Sequence, residues 1–340
     1  MSINQEQLNI ILYFLKTCLT LLSRNYLLDH NGNNQIYIKK TNKLYNLIKS
    51  DQEFLNYKKI YIFNNSYFNT IYTQFKCTNY KVLKSERIIC YKDKYLDIDW
   101  YERYAENKQI ILINPGIMGE GPSCDINKFI DNNLIPICVK RNVDQSFFNI
   151  LGFPNDLKII IDYLFNKYEK KIILYAESLG NVSAIKCINN YKMNQKIECF
   201  ISVSPGGNLQ KSLEKSDRFL FSIVFYKLSN KFKPKYLCSP WKNLKRTFKY
   251  SGVKSNNKLR IKCDPSLNKF INNDIPVLII QSKDDNMAMY NSDLIKKFKD
   301  DTTTIILTEK GGHLGFWKNY DEQWLSNIVN KYIKYSLNNN

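Results

Sequence analysis

The sequence predicts an α/β fold: a mostly parallel, eight-stranded sheet with helices on both faces and a helical cap inserted late in the chain. Three observations point there. From about residue 83, short apolar runs rich in β-branched residues alternate with segments of helical periodicity. Strands buried on both faces read as continuous apolar runs, as these do. One gap, residues 205–274, is too long for a loop in a compact domain and must carry structure of its own. Finally, "YAESLG", residues 175–180, sets a serine between small residues where an apolar run ends.

Residues 1–80 read as an N-terminal helical extension packing on the body. Within it, "LNIILYFLKTCLTLLSRNYLL" (8–28) is apolar but interrupted by Lys16. Its uninterrupted run falls well short of the roughly 20 residues that span a bilayer. It has neither the basic start nor the small-residue cleavage site of a signal peptide. A helix docked on the body is the reading, with a helix lying on a membrane surface as the alternative.

"ERIICY" and "YLDIDWY" form an antiparallel pair around a turn at Lys92, Asp93 and Lys94. The parallel strands follow: "QIILIN" (109–114), "IPICVK" (135–140), "KIILYA" (171–176), "CFISVS" (199–204), "IPVLIIQ" (275–281) and "TTIILT" (303–308). Between them, "NDLKIIIDYLFNKYEKK" (155–171) starts with Asn155 as a cap and carries Leu157, Ile160, Ile161 and Leu164 at helical spacing. A second helix grows from "LGNVSAIKCI". The closing helix, "DEQWLSNIVNKYIKY", aligns Trp324, Ile328 and Tyr332 on one face. Strand–helix alternation implies right-handed crossovers and a doubly wound sheet. The core therefore divides into residues 81–204 and 275–336 around a cap at 205–274. The cap is basic and aromatic, with Phe219, Phe221, Phe225, Trp241 and Arg246.

Composition excludes several classes. At 340 residues and 44% apolar, the chain can bury a large core and is not a disordered polymer. Lys and Arg outnumber Asp and Glu by 50 to 31, a formal charge of +19. The lysines are spread along the chain, with no RNA-binding aromatic motif and no zinc-finger spacing, so no nucleic-acid partner is expected. The nine Cys are scattered, with no C-x-x-C. That argues for reduced thiols and a cytoplasmic location, either free or peripheral on a membrane. Asn64 and Asn181 begin glycosylation sequons, but Asn181 lies against the site proposed below, so neither is read as a sign of secretion.

A strand that turns sharply into a helix needs small residues around the turning position. Ala176 and Gly180 supply them about Ser178. Such a turn exposes the serine at the sheet edge beside helical N–H groups. A serine hydroxyl needs an adjacent base. Of the two histidines, His30 lies in a turn-like stretch before the sheet, whereas His313 lies in "TEKGGHLGFW", directly after the last strand and on the same edge as Ser178. "IIQSKDDNMA" brings Asp284 and Asp285 to that edge too. Asp285 is the preferred partner of His313, and Asp284 the alternate. Seven of the twelve glycines (Gly116, Gly119, Gly121, Gly180, Gly311, Gly312, Gly315) fall in three loops that follow strands and converge there. The "INPGIMGEG" loop suits an oxyanion hole, with the Ile117 N–H joining that of Leu179. It lacks the endings of a phosphate-cradling loop.

These stretches resemble the α/β-hydrolase superfamily, and within it the branch of bacterial YheT-like proteins, plant embryogenesis-associated proteins and animal α/β-hydrolase-domain lipases. "NSYFNTIYTQF" is similar to the segment before that branch's first strand. "SERIICYKDKYLDIDWY" resembles its hairpin, with Lys94 where glycine is usual. "NPGIMGEGPSCDINKF" resembles its oxyanion loop and "AESLGNVSAIKC" its nucleophile elbow. "IPVLIIQSKDDNMA" and "LTEKGGHLGFW" match its acid and histidine segments, and G-G-H-[LI]-G-F marks the branch. The resemblance covers roughly residues 60–335. It implies Ser178 as nucleophile, His313 as base and Asp285 as acid, in the chain order of that superfamily, with no cofactor and no metal. It also implies hydrolysis of carboxylic esters, lipid or acylglycerol-like in kind. Acyl transfer by the same three residues and a catalytically silent binding protein are the alternatives. Ala176 and Asn181 stand where the family has glycine, and residues 205–270 match poorly.

Overall fold

The computed structural model describes residues 33–76, 80–91, 94–116, 121–140, 154–205, 274–288, 290 and 301–338. The segment 8–28, His30, Ile117 and the cap between residues 206 and 273 lie outside the described residues.

All eight expected strands are present: β2 (Lys84–Tyr91), β3 (Lys94–Trp100), β4 (Gln109–Asn114), β5 (Leu134–Lys140), β6 (Ile172–Glu177), β7 (Ile197–Val203), β8 (Val277–Ser282) and β9 (Thr303–Thr308). The sheet nevertheless has nine strands, not eight. The extra one, β1 (Gln35–Ile38), comes from the N-terminal extension and pairs antiparallel with β9. It is four residues long and none is fully buried, so it never prints the continuous apolar run that reveals a central strand. The extension is thus not purely helical.

The strand order is β1-β9-β8-β7-β6-β4-β5-β3-β2. Strands β4 to β9 run parallel apart from the antiparallel joins at the two ends, β1 on β9 and β3 on β5. After β4 the chain moves outward to β5, then returns to lay β6 on the other side of β4. The order therefore reverses at β4 and β6. In open α/β sheets, ligands bind beyond the carboxyl ends of strands at such a reversal.

Alternate residues of each strand feed two cores. One face packs Ile110, Leu112, Leu174 and Ile279 against α5 (Pro154–Tyr168) and α6 (Gly180–Tyr191). The other packs Ile111, Ile113, Ile173 and Leu278 against α4 (Ile126–Asp131) and α7 (Trp324–Asn338). The helical spacing read at Leu157, Ile160, Ile161 and Leu164 is the buried face of α5. That helix starts at Pro154, so Asn155 sits in its first turn rather than capping it; proline at this position loses no hydrogen bond.

Three helices of the N-terminal extension are described: α1 (Tyr45–Ser50), α2 (Gln52–Leu55) and α3 (Ser66–Lys76). The second docks on α7. The indole of Trp324 donates to the Glu53 carbonyl at 2.9 Å, and its ring lies 5.0 Å from that of Tyr57. Trp324, Ile328 and Tyr332 are fully buried, as their four-residue spacing predicts. Among the described residues, no helix is long and apolar enough to cross a membrane.

Trp324→Ala is expected to cost about 3–5 kcal/mol, since it opens a cavity and leaves the Glu53 carbonyl without its donor. Urea unfolding measures this, and a loss below about 1 kcal/mol would contradict the docking.

Candidate functional site

β6 ends at Glu177 and α6 begins at Gly180, so the chain reverses in two residues. Ser178 makes the turn at φ +49°, a left-handed conformation that is strained for a residue with a side chain. Its N–H donates to the Val203 carbonyl at 2.9 Å, which fixes the turn to β7. Gly180 is required by close approach. A Cβ there would lie 2.3 Å from the Asn114 carbonyl oxygen and 2.6 Å from that of Pro115, both backbone at the end of β4. Ala176, by contrast, buries its methyl in the core beside α6, so alanine in place of glycine is accommodated without strain. Ser178 and Leu179 are partly exposed between buried neighbours and remain reachable from outside. Leu179 opens α6, so its N–H is among the first-turn donors that have no intrahelical acceptor.

The structure brings Ser178, His313 and Asp285 together. Nε2 of His313 lies 2.9 Å from the Ser178 Oγ. Nδ1 lies 3.0 Å from both carboxylate oxygens of Asp285. An ionised carboxylate can only accept, so it selects the tautomer with the proton on Nδ1 and leaves Nε2 to accept the serine hydroxyl. The Asp285 carboxylate is aimed by three donors: the N–H groups of Met287 at 2.9 Å and Ala288 at 2.7 Å, and the Gln281 amide at 3.2 Å. Both His313 and Asp285 are buried, so their interaction is little screened by water.

Asp284, the alternate acid, points elsewhere. One of its oxygens accepts from the Ser282 hydroxyl and, at 3.0 Å, from the Gly312 N–H. It therefore ties β8 to the loop that carries His313. Burial raises its carboxyl above the ordinary range, partly offset by those donors. Lys310 and Lys59 are its cationic neighbours, and burial lowers the Lys59 ammonium to about 8.

The histidine loop is braced by α3, a helix more than 240 residues earlier in the chain. The His313 N–H donates to the Thr70 hydroxyl at 2.8 Å. The Trp317 N–H and indole donate to Asn69 at 3.1 Å and Thr73 at 2.9 Å. This contact explains the glycine before the histidine. At Gly312, φ is +63° and a Cβ would meet the Ser66 carbonyl oxygen at 2.4 Å. Leu314 and Phe316 also adopt positive φ, so backbone strain gathers around His313 as it does at Ser178.

The sequence reading missed two residues here. Asn181, read only as a sequon start and a departure from glycine, is fully buried. Its amide donates to the Ser178 and Val203 carbonyls at 3.0 and 2.9 Å, and its oxygen accepts from Ser202 at 2.7 Å. It locks the turn to β7, and its burial removes it as a glycan acceptor. Glu177 is a fully buried carboxylate immediately before the serine, accepting the Ser123 N–H on both oxygens at 3.0 and 3.1 Å. A charged residue closing an apolar strand was the available signal for it. Gly116, at the start of the proposed oxyanion loop, lies against Ser178, where its ideal Cβ position is 3.1 Å from that of the serine. Ile117 follows it, outside the described residues. Among the described residues, no group of three or more His, Cys, Asp or Glu is placed to hold a metal ion.

A scan against models of known protein families finds no match, and neither does a search of curated proteins. Solved structures do match. An esterase from the fungus Rhizomucor miehei is 10% identical over 82% of this chain and 91% of its own, with a TM-score of 0.50. An acylaminoacyl peptidase from Pyrococcus horikoshii is 13% identical over 78% of this chain, again with a TM-score of 0.50. This chain covers only 43% of that larger protein. Likeness at such identities shows the fold, and the fold is that of the α/β-hydrolases.

Thr70→Val removes a buried acceptor from the His313 N–H and is expected to cost about 1–3 kcal/mol, whereas Thr70→Ser keeps the acceptor and most of the stability. Denaturant unfolding of the pair decides it; a valine variant as stable as the serine variant would contradict the brace.

Proposed function

We propose that the protein is a serine hydrolase of carboxylic esters. One observation carries the reading: the continuous hydrogen-bonded line from Ser178 through His313 to Asp285, with the serine on a strained turn at a strand-order reversal.

Ser178 Oγ attacks the acyl carbon while His313 Nε2 takes its proton. Asp285 holds the Nδ1 proton and stabilises the imidazolium that forms. The N–H of Leu179, joined by that of Ile117, receives the oxyanion; one such donor contributes ~3–4 kcal/mol to the transition state. His313 then gives its proton to the leaving alcohol and activates the water that releases the acyl group. No cofactor enters this scheme. The "GGHLGF" segment supports a place in the YheT-like branch, and lipid-like esters are the substrate class that this resemblance favours. The basic, aromatic composition of residues 206–273 supports an amphiphile with an acidic head, met at a membrane surface.

A fluorophosphonate probe tests the chemistry. It is expected to label the wild-type chain and not Ser178→Ala. Asp285→Asn is expected to lower turnover of a short acyl ester by ~10⁴ through loss of the correct tautomer. A folded wild-type chain that does not label, with detergent present, would refute the reading. Membrane recruitment is checked by flotation with vesicles: binding is expected to rise with anionic lipid and fall with salt.

A further inference from the structure

We propose that Glu177 is a positioning residue: its buried carboxylate holds Ser123, and Ser123 together with Gln323 ties the strand that carries the nucleophile to the loop that carries the histidine. The inference rests on the hydrolase reading above.

The connection can be followed atom by atom. Glu177 ends β6 and is fully buried, and both of its carboxylate oxygens accept the Ser123 N–H. The carbonyl of the same Ser123 accepts from the Gln323 amide at 3.1 Å. That amide also donates to the Gly315 carbonyl at 2.9 Å and approaches the Leu314 carbonyl at 3.3 Å, immediately after His313. The amide oxygen of Gln323 accepts from the Asp125 N–H at 3.0 Å and from the Ser326 hydroxyl at 2.8 Å, which orients it. Gln323 is itself buried. One residue, Ser123, is therefore held by its N–H to the nucleophile's strand and by its C=O to a side chain that also grips the histidine's loop. Nothing in the proposed proton transfers uses Glu177, yet an ionisable group sits in the core directly beside the serine.

Burying a carboxylate without a compensating cation is costly, and here the groups that favour its charge are an N–H and the hydroxyls of Ser123 and Tyr175 rather than a Lys or Arg. Burial raises it to about 7, with the Ser123 donors, the Tyr175 hydroxyl and the neighbouring His313 working in the opposite direction. The titratable groups nearest to it are Tyr175 on the same strand and His313 across the site, with Cys124 beside Tyr175. The ionised form presents two acceptors to Ser123 and sits favourably near the imidazolium that forms during reaction. The neutral form gives up both advantages.

The folded chain thus holds a proton on Glu177 between about 4.5 and about 7 that the unfolded chain has released. This group's contribution to stability is greatest at the acid end and declines as pH rises towards 7. The melting temperature of the wild-type chain is therefore expected to fall relative to that of Glu177→Gln between about pH 5 and about pH 8.

The deciding experiment measures phosphonylation of Ser178 by a fluorophosphonate across that pH range in the full chain, in Glu177→Gln and in Ser123→Ala. Glu177→Gln is expected to react about tenfold to a hundredfold more slowly at the alkaline end while binding the probe as the wild type does. Ser123→Ala removes a donor to the ionised carboxylate, so the acid limb of its rate profile is expected to move to higher pH. A reactive wild type matched in rate by Glu177→Gln would overturn this inference alone. A folded but inert wild type would overturn the hydrolase reading and this inference with it. Should Glu177→Gln not fold, Gln323→Met decides, since it removes the amide that joins Ser123 to the histidine's loop: phosphonylation slowed about tenfold or more supports the tether, and an unchanged rate overturns it.

Discussion

The chain must pass from a strand buried on both faces to a helix buried against the same sheet within two residues, and Ser178 takes that turn at positive φ. Much of the site follows from this constraint. The turn is possible only because Gly180 lets the helix start press against the carbonyls that end β4. It is held because Asn181 and the Ser178 N–H anchor it to β7. A side chain forced outward in this way stays reachable while its neighbours are buried, and the first N–H groups of a helix lie beside it.

The partners of Ser178 come from loops far apart in sequence, and each is fixed by buried polar contacts rather than by local preference. Asp285 is aimed by two backbone N–H groups and a glutamine amide. His313 is braced from outside the sheet by α3 and from inside by Asp284 acting through Gly312. Such contacts are worth little individually against water, but each is costly to leave unmade once buried. The geometry is thus protected: losing a brace leaves a buried donor unsatisfied. The N-terminal extension takes part in this site, since α3 supplies the acceptor for the His313 N–H and β1 extends the sheet past β9.

How much of this was legible in the sequence follows from what each feature depends on. Strands β4 to β9 could be read because near-complete burial writes a continuous apolar run, and the more exposed β2 and β3 because they flank the turn read at residues 92–94. β1 could not, because a short edge strand with half-exposed residues looks like any polar connection. Ser178 and His313 could be read because each sits in a glycine-marked loop directly after a strand. The choice between Asp284 and Asp285 was open to position alone, since adjacent residues leave the same strand. The turn that presents the Met287 and Ala288 N–H groups to Asp285 separates them in space. The work of Glu177 and Asn181 stayed hidden because it depends on which distant segment folds over them; Ser123 is 54 residues away from Glu177 in sequence. The brace from Thr70 spans 243 residues and has no local signature at all.

The central claim is that Ser178 carries the acyl group during turnover. Rapid quenching of the full chain mixed with a nitrophenyl ester, followed by intact-mass and peptide analysis, tests it directly. The account predicts a transient adduct of the acyl mass on the peptide containing Ser178, formed in step with a burst of nitrophenol. Ester turnover with no adduct, or with the acyl group on another residue, would contradict it.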